Sequence, residues 1–239
     1  MDLFVANIDH EMYSLYKNNH DETFDDVANA RGIGKATWLM SGWGLKFFDY
    51  DNDGDLDLFL ANGNPDDLIK LFHNDVDYQE PPLLFRGYGG RFENVSHESG
   101  PVFMKPLSAR GLALGDFDND GAVDVLISNN DSAPVLLKNN AGRKNHWLGL
   151  RLIGKNCNRD AVGARISWQA GDLKRSTMKV GGGSYLSSHD PRVVLGIGAR
   201  QKFDWVEIKW PKPSTLNQHL TGLPVDRYVT IAEGQEKWT

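Results

Sequence analysis

The amino-acid sequence predicts an all-β protein with two regions, a partial β-propeller over residues 1–144 and a β-sandwich over residues 145–239. Three observations predict this fold. An aspartate-rich segment occurs twice in the first region, short apolar stretches with a period of two flank each copy, and the second region consists of alternating stretches separated by glycine, proline and asparagine. With 239 residues, the chain is long enough for one large all-β domain or two smaller ones.

The first aspartate-rich segment is DYDNDGDLDLFLAN, which begins at Asp49. Two unit charges about 4 Å apart repel by roughly 4 kcal/mol at an effective dielectric constant of about 20, so this crowding needs a compensating cation. The order D-x-D-x-D-G-x-x-D brings several hard oxygen atoms onto one centre, which predicts a Ca²⁺ site. The predicted ligands are the side chains of Asp49, Asp51, Asp53 and Asp57 and the backbone carbonyl of Asp55.

The second segment, GDFDNDGAVDVLISNN, repeats this order further along the chain, beginning at Asp116. Its predicted ligands are the side chains of Asp116, Asp118, Asp120 and Asp124 and the backbone carbonyl of Ala122. Two alternatives remain open. An acidic hairpin turn without metal would also use Asp, Asn and Gly. Mg²⁺ fits less well than Ca²⁺, because it prefers rigid octahedral geometry and few carboxylates.

The two segments differ from EF-hand loops. An EF-hand places a bidentate glutamate at position 12, where these segments have Leu60 and Ile127. The residues that follow each segment alternate with a period of two, which is typical of a strand and not of a helix. We therefore predict that each aspartate-rich loop connects two β-strands.

An internal repeat extends beyond the two loops. The stretch Asp2–Asn7 matches Asp57–Asn62 at every position except Val5, so Asp2 corresponds to the last ligand of a third loop. Asp2, Asp57 and Asp124 thus mark three copies, and each unit contains short strand-like stretches, which is typical of propeller blades. We predict two full blades and a truncated one. We also expect further N-terminal blades and an export signal upstream, in a longer protein or before a misplaced gene start.

The aspartate pattern, with the aromatic segments Phe24–Val27 and Phe92–Val95, resembles FG-GAP or VCBS repeats. This resemblance implies calcium-binding loops in a seven-bladed β-propeller, which the missing N-terminal blades would be needed to close. In the second region, four motifs resemble the ASPIC/UnbV domain. They are Asn145–Leu148, Asn158–Ala164, Gly183–Ser188 and Val206–Pro211. The two resemblances together span nearly the whole chain.

Composition excludes several classes of protein. The net charge of −6 argues against nucleic-acid binding, and the single cysteine, Cys157, excludes an internal disulfide framework. No run of 18 or more apolar residues occurs, so no membrane span is predicted. The seven histidines are scattered without a metal-binding motif, so no zinc centre is expected.

Three other features are weighed as sites. Ser187, His189 and Asp190 are adjacent in the sequence, whereas triads converge from separate segments, so a polar turn is the simpler reading. The pair Arg159 and Asp160 is expected to form a structural ion pair or, less readily, a ligand site. Three tryptophans of the second region are candidates for sugar stacking, Trp168, Trp205 and Trp210. Core packing is the simpler reading for Trp210, and Trp205 is expected on the opposite, exposed face.

These observations predict a non-catalytic, calcium-binding protein that acts as a scaffold or in adhesion, outside the cell, in the periplasm or at the cell surface. Its partner would be a protein or a glycan. Cytosolic calcium is too low to fill sites with the affinity typical of extracellular modules, about 10⁻⁴ to 10⁻³ M, which favours export. The alternatives are a glycan-binding module, or an accessory protein or enzyme of a biosynthetic pathway.

Overall fold

The fold was described from a computed structural model, which covers residues 2–235 and 237–239; Met1 and Glu236 lie outside the described residues. The protein is all-β, as predicted, with only short 3-10 helices between strands. These helices are Gly34–Thr37, Ile69–Leu71, Ser96–Glu98, Pro101–Met104 and Gly142–Lys144. In the described part of the chain, no helix is both long and apolar enough to cross a membrane.

The first region forms three antiparallel sheets, which are the blades of a partial β-propeller. Each blade is defined here by its strands. Blade 1 contains β1 (Leu3–Val5), β2 (Ser14–Asn18) and β3 (Phe24–Asp26). Blade 2 contains β4 (Gly42–Phe48), β5 (Asp57–Asn62), β6 (Leu83–Tyr88) and β7 (Arg91–Asn94). Blade 3 contains β8 (Ala109–Gly115), β9 (Asp124–Asn129) and β10 (Ser132–Leu137).

The three blades have different numbers of strands among the described residues. Blade 2 has four strands, whereas blade 3 has three, in the order β10-β9-β8. After β10 the chain passes through the 3-10 helix Gly142–Lys144 and enters the first strand of the second region, so the described residues add no fourth strand to blade 3. Blade 1 begins at β1, which corresponds to the second strand of blade 2.

The central strand β5 explains how the blades pack. Its residues are all buried, because the strand has apolar side chains on both faces. Leu58 and Leu60 belong to the core shared with blade 1, which includes Tyr13 and Ile33. Phe59 and Ala61 belong to the core shared with blade 3. Successive side chains of β5 point to opposite faces of the sheet, and both faces are apolar. Blade 2 therefore packs between blade 1 and blade 3.

The outer faces of blades 1 and 3 carry exposed apolar residues. Leu3 and Val5 alternate with Phe4, which packs into the core between blades 1 and 2. On blade 3, Leu126 and Leu136 are exposed on the face that points away from blade 2. In a propeller, faces of this kind are buried against neighbouring blades.

The second region contains two sheets that pack face to face around one apolar core. The first sheet has the order β16-β11-β19, with β11 parallel to β19, and the second has the order β13-β12-β17-β18. The strands are β11 (His146–Ile153), β12 (Arg165–Ala170), β13 (Leu173–Met178), β16 (Val193–Gly198), β17 (Trp205–Lys209), β18 (Asn217–Leu220) and β19 (Arg227–Ala232). A small hairpin, β14 (Gly183–Ser184) and β15 (Ser187–Ser188), contacts β4 and β8 of the blades.

Candidate metal centres and the junction between the regions

The first aspartate-rich loop, residues 49–57, connects β4 to β5, as predicted. Asn52 and Gly54 adopt positive φ angles of 59° and 95°, which turn the backbone sharply. The two carboxylate oxygens of Asp49 accept hydrogen bonds from the backbone N–H groups of Asp53, at 3.0 Å, and Gly54, at 2.9 Å. The loop is thus wound around its first aspartate.

The second loop, residues 116–124, connects β8 to β9 and has the same conformation. Asn119 and Gly121 have φ angles of 59° and 85°. The carboxylate of Asp116 accepts hydrogen bonds from the backbone N–H groups of Asp120, at 3.0 Å, and Gly121, at 2.7 Å. The shared aspartate pattern therefore specifies a shared backbone, position by position.

Carboxylates converge in both loops. One oxygen from each of Asp49, Asp51 and Asp53 lies within 4.8 Å of the others, and so does one oxygen from each of Asp116, Asp118 and Asp124. Two of the side chains predicted as ligands lie outside these groups. They are Asp57 and Asp120. Clusters of hard oxygen atoms of this kind are suited to a divalent cation.

The last aspartate of each loop, at position 9 counted from its first aspartate, connects strands within the blade. Both oxygens of Asp57 accept backbone hydrogen bonds, from Tyr50 at 2.9 Å and from Gly87 at 2.8 Å. Asp124 accepts the equivalent bond from Asn139 at 2.8 Å, and Asp2 accepts one from Asn18 at 3.1 Å. Asp2 thus occupies the position-9 place in blade 1, which agrees with the predicted repeat.

Asp55 and Ala122, which occupy position 7 of the first and second loops, have different side-chain surroundings. The carboxylate of Asp55 forms an ion pair with Arg175 at 2.6 Å, whereas Ala122 is fully buried. Neither side chain belongs to a carboxylate cluster, which is compatible with a contribution from the backbone alone.

The electrostatic environment of the first loop favours added positive charge. Burial and the nearby carboxylates of Asp57 and Asp53 raise the pKa of Asp49 well above its usual value. Burial and the charge of Asp53 also raise the pKa of Asp51, and burial raises the pKa of Asp57 to about 8. Within the described residues, Asp49, Asp51 and Asp53 form no ion pair with Lys or Arg.

The second loop has cationic neighbours. Lys138 forms an ion pair with Asp118, and Arg143 forms one with Asp120. The hydrogen bond from Lys138 lowers the pKa of Asp118, whereas burial raises the pKa of Asp124. Part of the negative charge in this loop is therefore already compensated by side chains.

Both loops face the second region. In the first loop, the backbone carbonyls of Asp51 and Gly54 accept hydrogen bonds from Asn145, at 2.8 Å, and Arg175, at 2.8 Å. The carbonyl of Asn52 accepts one from the backbone N–H of Gly198 at 2.8 Å. The first loop is thus held to the sandwich mainly through its backbone.

The second loop contacts the sheet β16-β11-β19 and the segment just before β16. The hydroxyl of Tyr228 donates a hydrogen bond to Asp116 at 2.6 Å, and Arg192 donates one to the backbone carbonyl of Asp116 at 2.8 Å. The guanidinium of Arg192 also lies 4.2 Å from the centre of the Tyr228 ring and pairs with Asp190. These contacts on the two loops define the junction between the regions.

A cavity of about 430 Å³ lies at the junction, lined by both aspartate-rich loops and by strands of the sandwich. Lys46 lines this cavity and forms no ion pair within the described part of the chain. Burial lowers the pKa of Lys46. The lining of the cavity thus includes one lysine together with Asp49 and Asp116.

The remaining candidate residues make separate, local contacts. The hydroxyl of Ser187 donates to the backbone of Tyr185, Nδ1 of His189 accepts from the backbone of Leu114, and Asp190 pairs with Arg192. These three side chains therefore form no catalytic relay with one another.

Two other predictions can be compared with the structure. The expected ion pair between Arg159 and Asp160 is absent among the described ion pairs, because the loop is instead closed by hydrogen bonds between Asn158 and Val162. Trp210 packs in the core, as predicted, and Trp168 packs in the same core. Trp205 is half-buried and hydrogen-bonded to Gln169, so it is less exposed than expected.

Comparison with known proteins identifies both regions. The family model described as an FG-GAP-like repeat matches residues 1–60 and 49–127, and the model described as ASPIC and UnbV matches residues 154–237. Relatives include cartilage acidic protein 1 of Xenopus tropicalis, 23% identical over 272 residues, which cover 93% of this chain and 41% of the relative. The human protein of the same name is 23% identical over 256 residues, 86% of this chain and 38% of the relative.

This chain therefore spans about two fifths of the length of these relatives. The matches agree with the two resemblances seen in the sequence, in the same order along the chain. The FG-GAP-like model covers more than half of the chain, including both aspartate-rich loops. The chain belongs to the FG-GAP-like repeat family and carries an ASPIC and UnbV region after its repeats.

Proposed function

We propose that this chain is part of a non-catalytic, extracellular or cell-surface scaffold in which Ca²⁺ bound to the two aspartate-rich loops holds the blades against the sandwich. The observation that carries the proposal is the cluster of Asp49, Asp51 and Asp53, three converging carboxylates without a cationic partner among the described residues. The side chains proposed to hold the two ions are Asp49, Asp51, Asp53, Asp57, Asp116, Asp118, Asp120 and Asp124, with the carbonyls of Asp55 and Ala122.

The position of the loops supports a more specific role for the ions than rigidifying exposed loops. The loops are packed between the blades and the sandwich, where their carbonyls accept hydrogen bonds from Asn145, Arg175 and Arg192. Neutralising the carboxylates would stabilise the loop conformation that these residues recognise. The proposed role of calcium is thus to fix the relative position of two regions, which then present a rigid surface to a protein or glycan partner.

Two further considerations support a location outside the cell. The relatives carry the name cartilage acidic protein 1, and cartilage is rich in extracellular matrix. Extracellular calcium modules bind with dissociation constants of about 10⁻⁴ to 10⁻³ M, which extracellular calcium fills and cytosolic calcium does not. At about 1 mM calcium and a dissociation constant near 0.1 mM, each site would stabilise the fold by roughly 1.4 kcal/mol.

The proposal is tested by thermal melts with excess EGTA and with millimolar calcium. We compare the wild-type chain with Asp53→Asn, Asp120→Asn and the double variant, because asparagine keeps the size and local hydrogen bonding of the side chain. Calcium is expected to raise the melting temperature of the wild-type chain by about 6–12 °C, since roughly 3 kcal/mol from two sites corresponds to about 2–4 °C per kcal/mol in a chain of this size.

The double variant is expected to lose most of this rise. Asp53→Asn is expected to lose more of it than Asp120→Asn, because Asp120 and Asp118 pair with cationic side chains whereas Asp49, Asp51 and Asp53 form no such pair among the described residues. Asp67→Asn, which changes an exposed aspartate outside both loops, serves as the control. An equal calcium response in the double variant and in the wild-type chain would show that the two loops are acidic turns without metal.

A further inference from the structure

A second cluster of metal-ligating side chains lies between blades 1 and 2. It consists of His10, in the connection between β1 and β2, and of His73 and Asp75, in the connection between β5 and β6. One ligand atom of each residue lies within 4.8 Å of the others. No pattern in the sequence indicated this cluster, because its two histidines lie in different blades and the scattered histidines predicted no zinc centre.

The distances suit a single metal ion. Nε2 of His10 lies 3.1 Å from Oδ2 of Asp75. Two ligand atoms bonded to one tetrahedral Zn²⁺ lie about 3.3 Å apart, given bond lengths of about 2.0–2.1 Å. An ion could therefore replace the hydrogen bond between these two side chains with little movement of either residue. His73, whose ring centre is 5.1 Å from that of His10, would supply the third ligand.

A carboxylate holds the first ligand in the orientation that metal binding needs. Nδ1 of His10 lies 3.0 Å from Oδ2 of Asp9, so the proton on Nδ1 leaves Nε2 free to face the ion. The other oxygen of Asp9 accepts hydrogen bonds from Asn64 at 2.8 Å and from Ser41 at 3.4 Å. Histidines that bind metals commonly have a partner of this kind, which fixes the ring and increases its basicity.

We propose that His10, His73 and Asp75 form a site for Zn²⁺ that links blade 1 to blade 2. Two imidazoles and one carboxylate suit zinc better than calcium, which prefers oxygen ligands only. Three protein ligands leave one position of a tetrahedral ion for water. The site differs from the two aspartate-rich loops in its position, because successive connections between antiparallel strands alternate between the two ends of a sheet.

The proposal is tested by titrating ZnCl₂ into the calcium-loaded chain and measuring the heat of binding and the melting temperature. We expect one equivalent of Zn²⁺ to bind with a micromolar or lower dissociation constant and to raise the melting temperature. His73→Ala is expected to weaken binding at least tenfold and to abolish this rise. Asp9→Asn, which removes the partner of Nδ1 but no ligand, is expected to weaken binding about 10- to 100-fold.

His97→Ala is the matched control, since it removes an exposed histidine from a 3-10 helix outside the cluster. It is expected to bind Zn²⁺ as the wild-type chain does. Absence of stoichiometric binding to the wild-type chain would overturn the proposal. Equal affinity of His73→Ala and the wild-type chain would also overturn it, because the zinc would then bind elsewhere. Calcium melts of His73→Ala that match the wild-type chain would establish that the variant is folded.

Discussion

The two aspartate-rich loops have the same backbone but different surroundings. In both loops, an asparagine and a glycine with positive φ wind the chain around the first aspartate. Around the second loop, Lys138 and Arg143 pair with two of the carboxylates, whereas the cluster in the first loop has no such partners among the described residues. A sequence motif can thus specify a loop conformation while the rest of the fold determines its charge.

The largest expected difference between the loops comes from their glycines. A side chain at Gly121 would overlap the indole of Trp147, which is buried and packs against Tyr228. A side chain at Gly54 would instead meet the end of Leu173, 2.9 Å away, which can move. We expect Gly121→Ala to lower the free energy of unfolding by about 4 kcal/mol and Gly54→Ala by about 1–2 kcal/mol.

Urea denaturation in millimolar calcium measures this difference. The double variant Gly121→Ala with Trp147→Leu is the test of cause, with Trp147→Leu alone as its reference. If the overlap with the indole causes the loss of stability, Gly121→Ala should lower the free energy of unfolding less in the Trp147→Leu background than in the wild-type chain. Equal losses for Gly54→Ala and Gly121→Ala would contradict the packing of the second loop against Trp147.

The arginines of the junction provide a second comparison. Arg192 contacts Asp116, Asp190 and the Tyr228 ring and is less exposed than Arg175, which contacts Gly54 and Asp55 at the surface. We expect Arg192→Met to lower the free energy of unfolding by about 2–3 kcal/mol, because it leaves buried acceptors unpaired. Arg175→Met should cost about 0.5–1 kcal/mol, as for an exposed ion pair.

Chemical denaturation of both variants in millimolar calcium checks this order. Arg159→Met, which changes an exposed arginine outside the junction, is the control. A larger loss for Arg175→Met than for Arg192→Met would mean that the first loop, not the second, holds the regions together.

The smallest expected effect concerns the cations beside the second loop. Lys138 must release Asp118 before that carboxylate can bind an ion. Removing Lys138 is therefore expected to tighten calcium binding at the second loop by about two- to fivefold, the range for a weak, partly exposed ion pair. Lys138→Met is measured in the Asp53→Asn background by calorimetry, so that the second loop dominates the signal.

Lys105→Met in the same background is the control for loss of one positive charge. If Lys105→Met tightened binding as much as Lys138→Met, the effect would come from net charge and not from the pair with Asp118. If neither changed the affinity, the different surroundings of the two loops would have no effect on calcium binding.

The sequence predicted the fold well where the pattern is local. The alternating residues after each aspartate-rich segment formed β5 and β9, and the match of Asp2–Asn7 to Asp57–Asn62 correctly placed β1 as a repeat of β5. The sequence did not indicate that blade 3 ends after three strands, because the point at which a chain leaves one sheet for another depends on packing and has no local signal.

The sites were predicted less completely than the fold. The spacing of aspartates in the sequence predicted the two groups of carboxylates, since the members of each group lie within a single loop. Arg175, Arg192 and Tyr228 carry no spacing signal, because they reach the loops from strands or turns of the other region, far along the chain. The cluster of His10 and His73 was missed for the same reason. Contacts between distant segments follow from tertiary structure alone.

Asn52 connects the two loops directly. Its side chain is fully buried, and its Nδ2 donates hydrogen bonds to the backbone carbonyls of Gly121, in the second loop, and Gly142, each at 3.0 Å. An ion that orders the first loop would therefore also order part of the second, which lowers the entropic cost of filling it. We expect the two ions to bind with positive cooperativity, in which occupancy of one loop raises the affinity of the other by the same factor in either order.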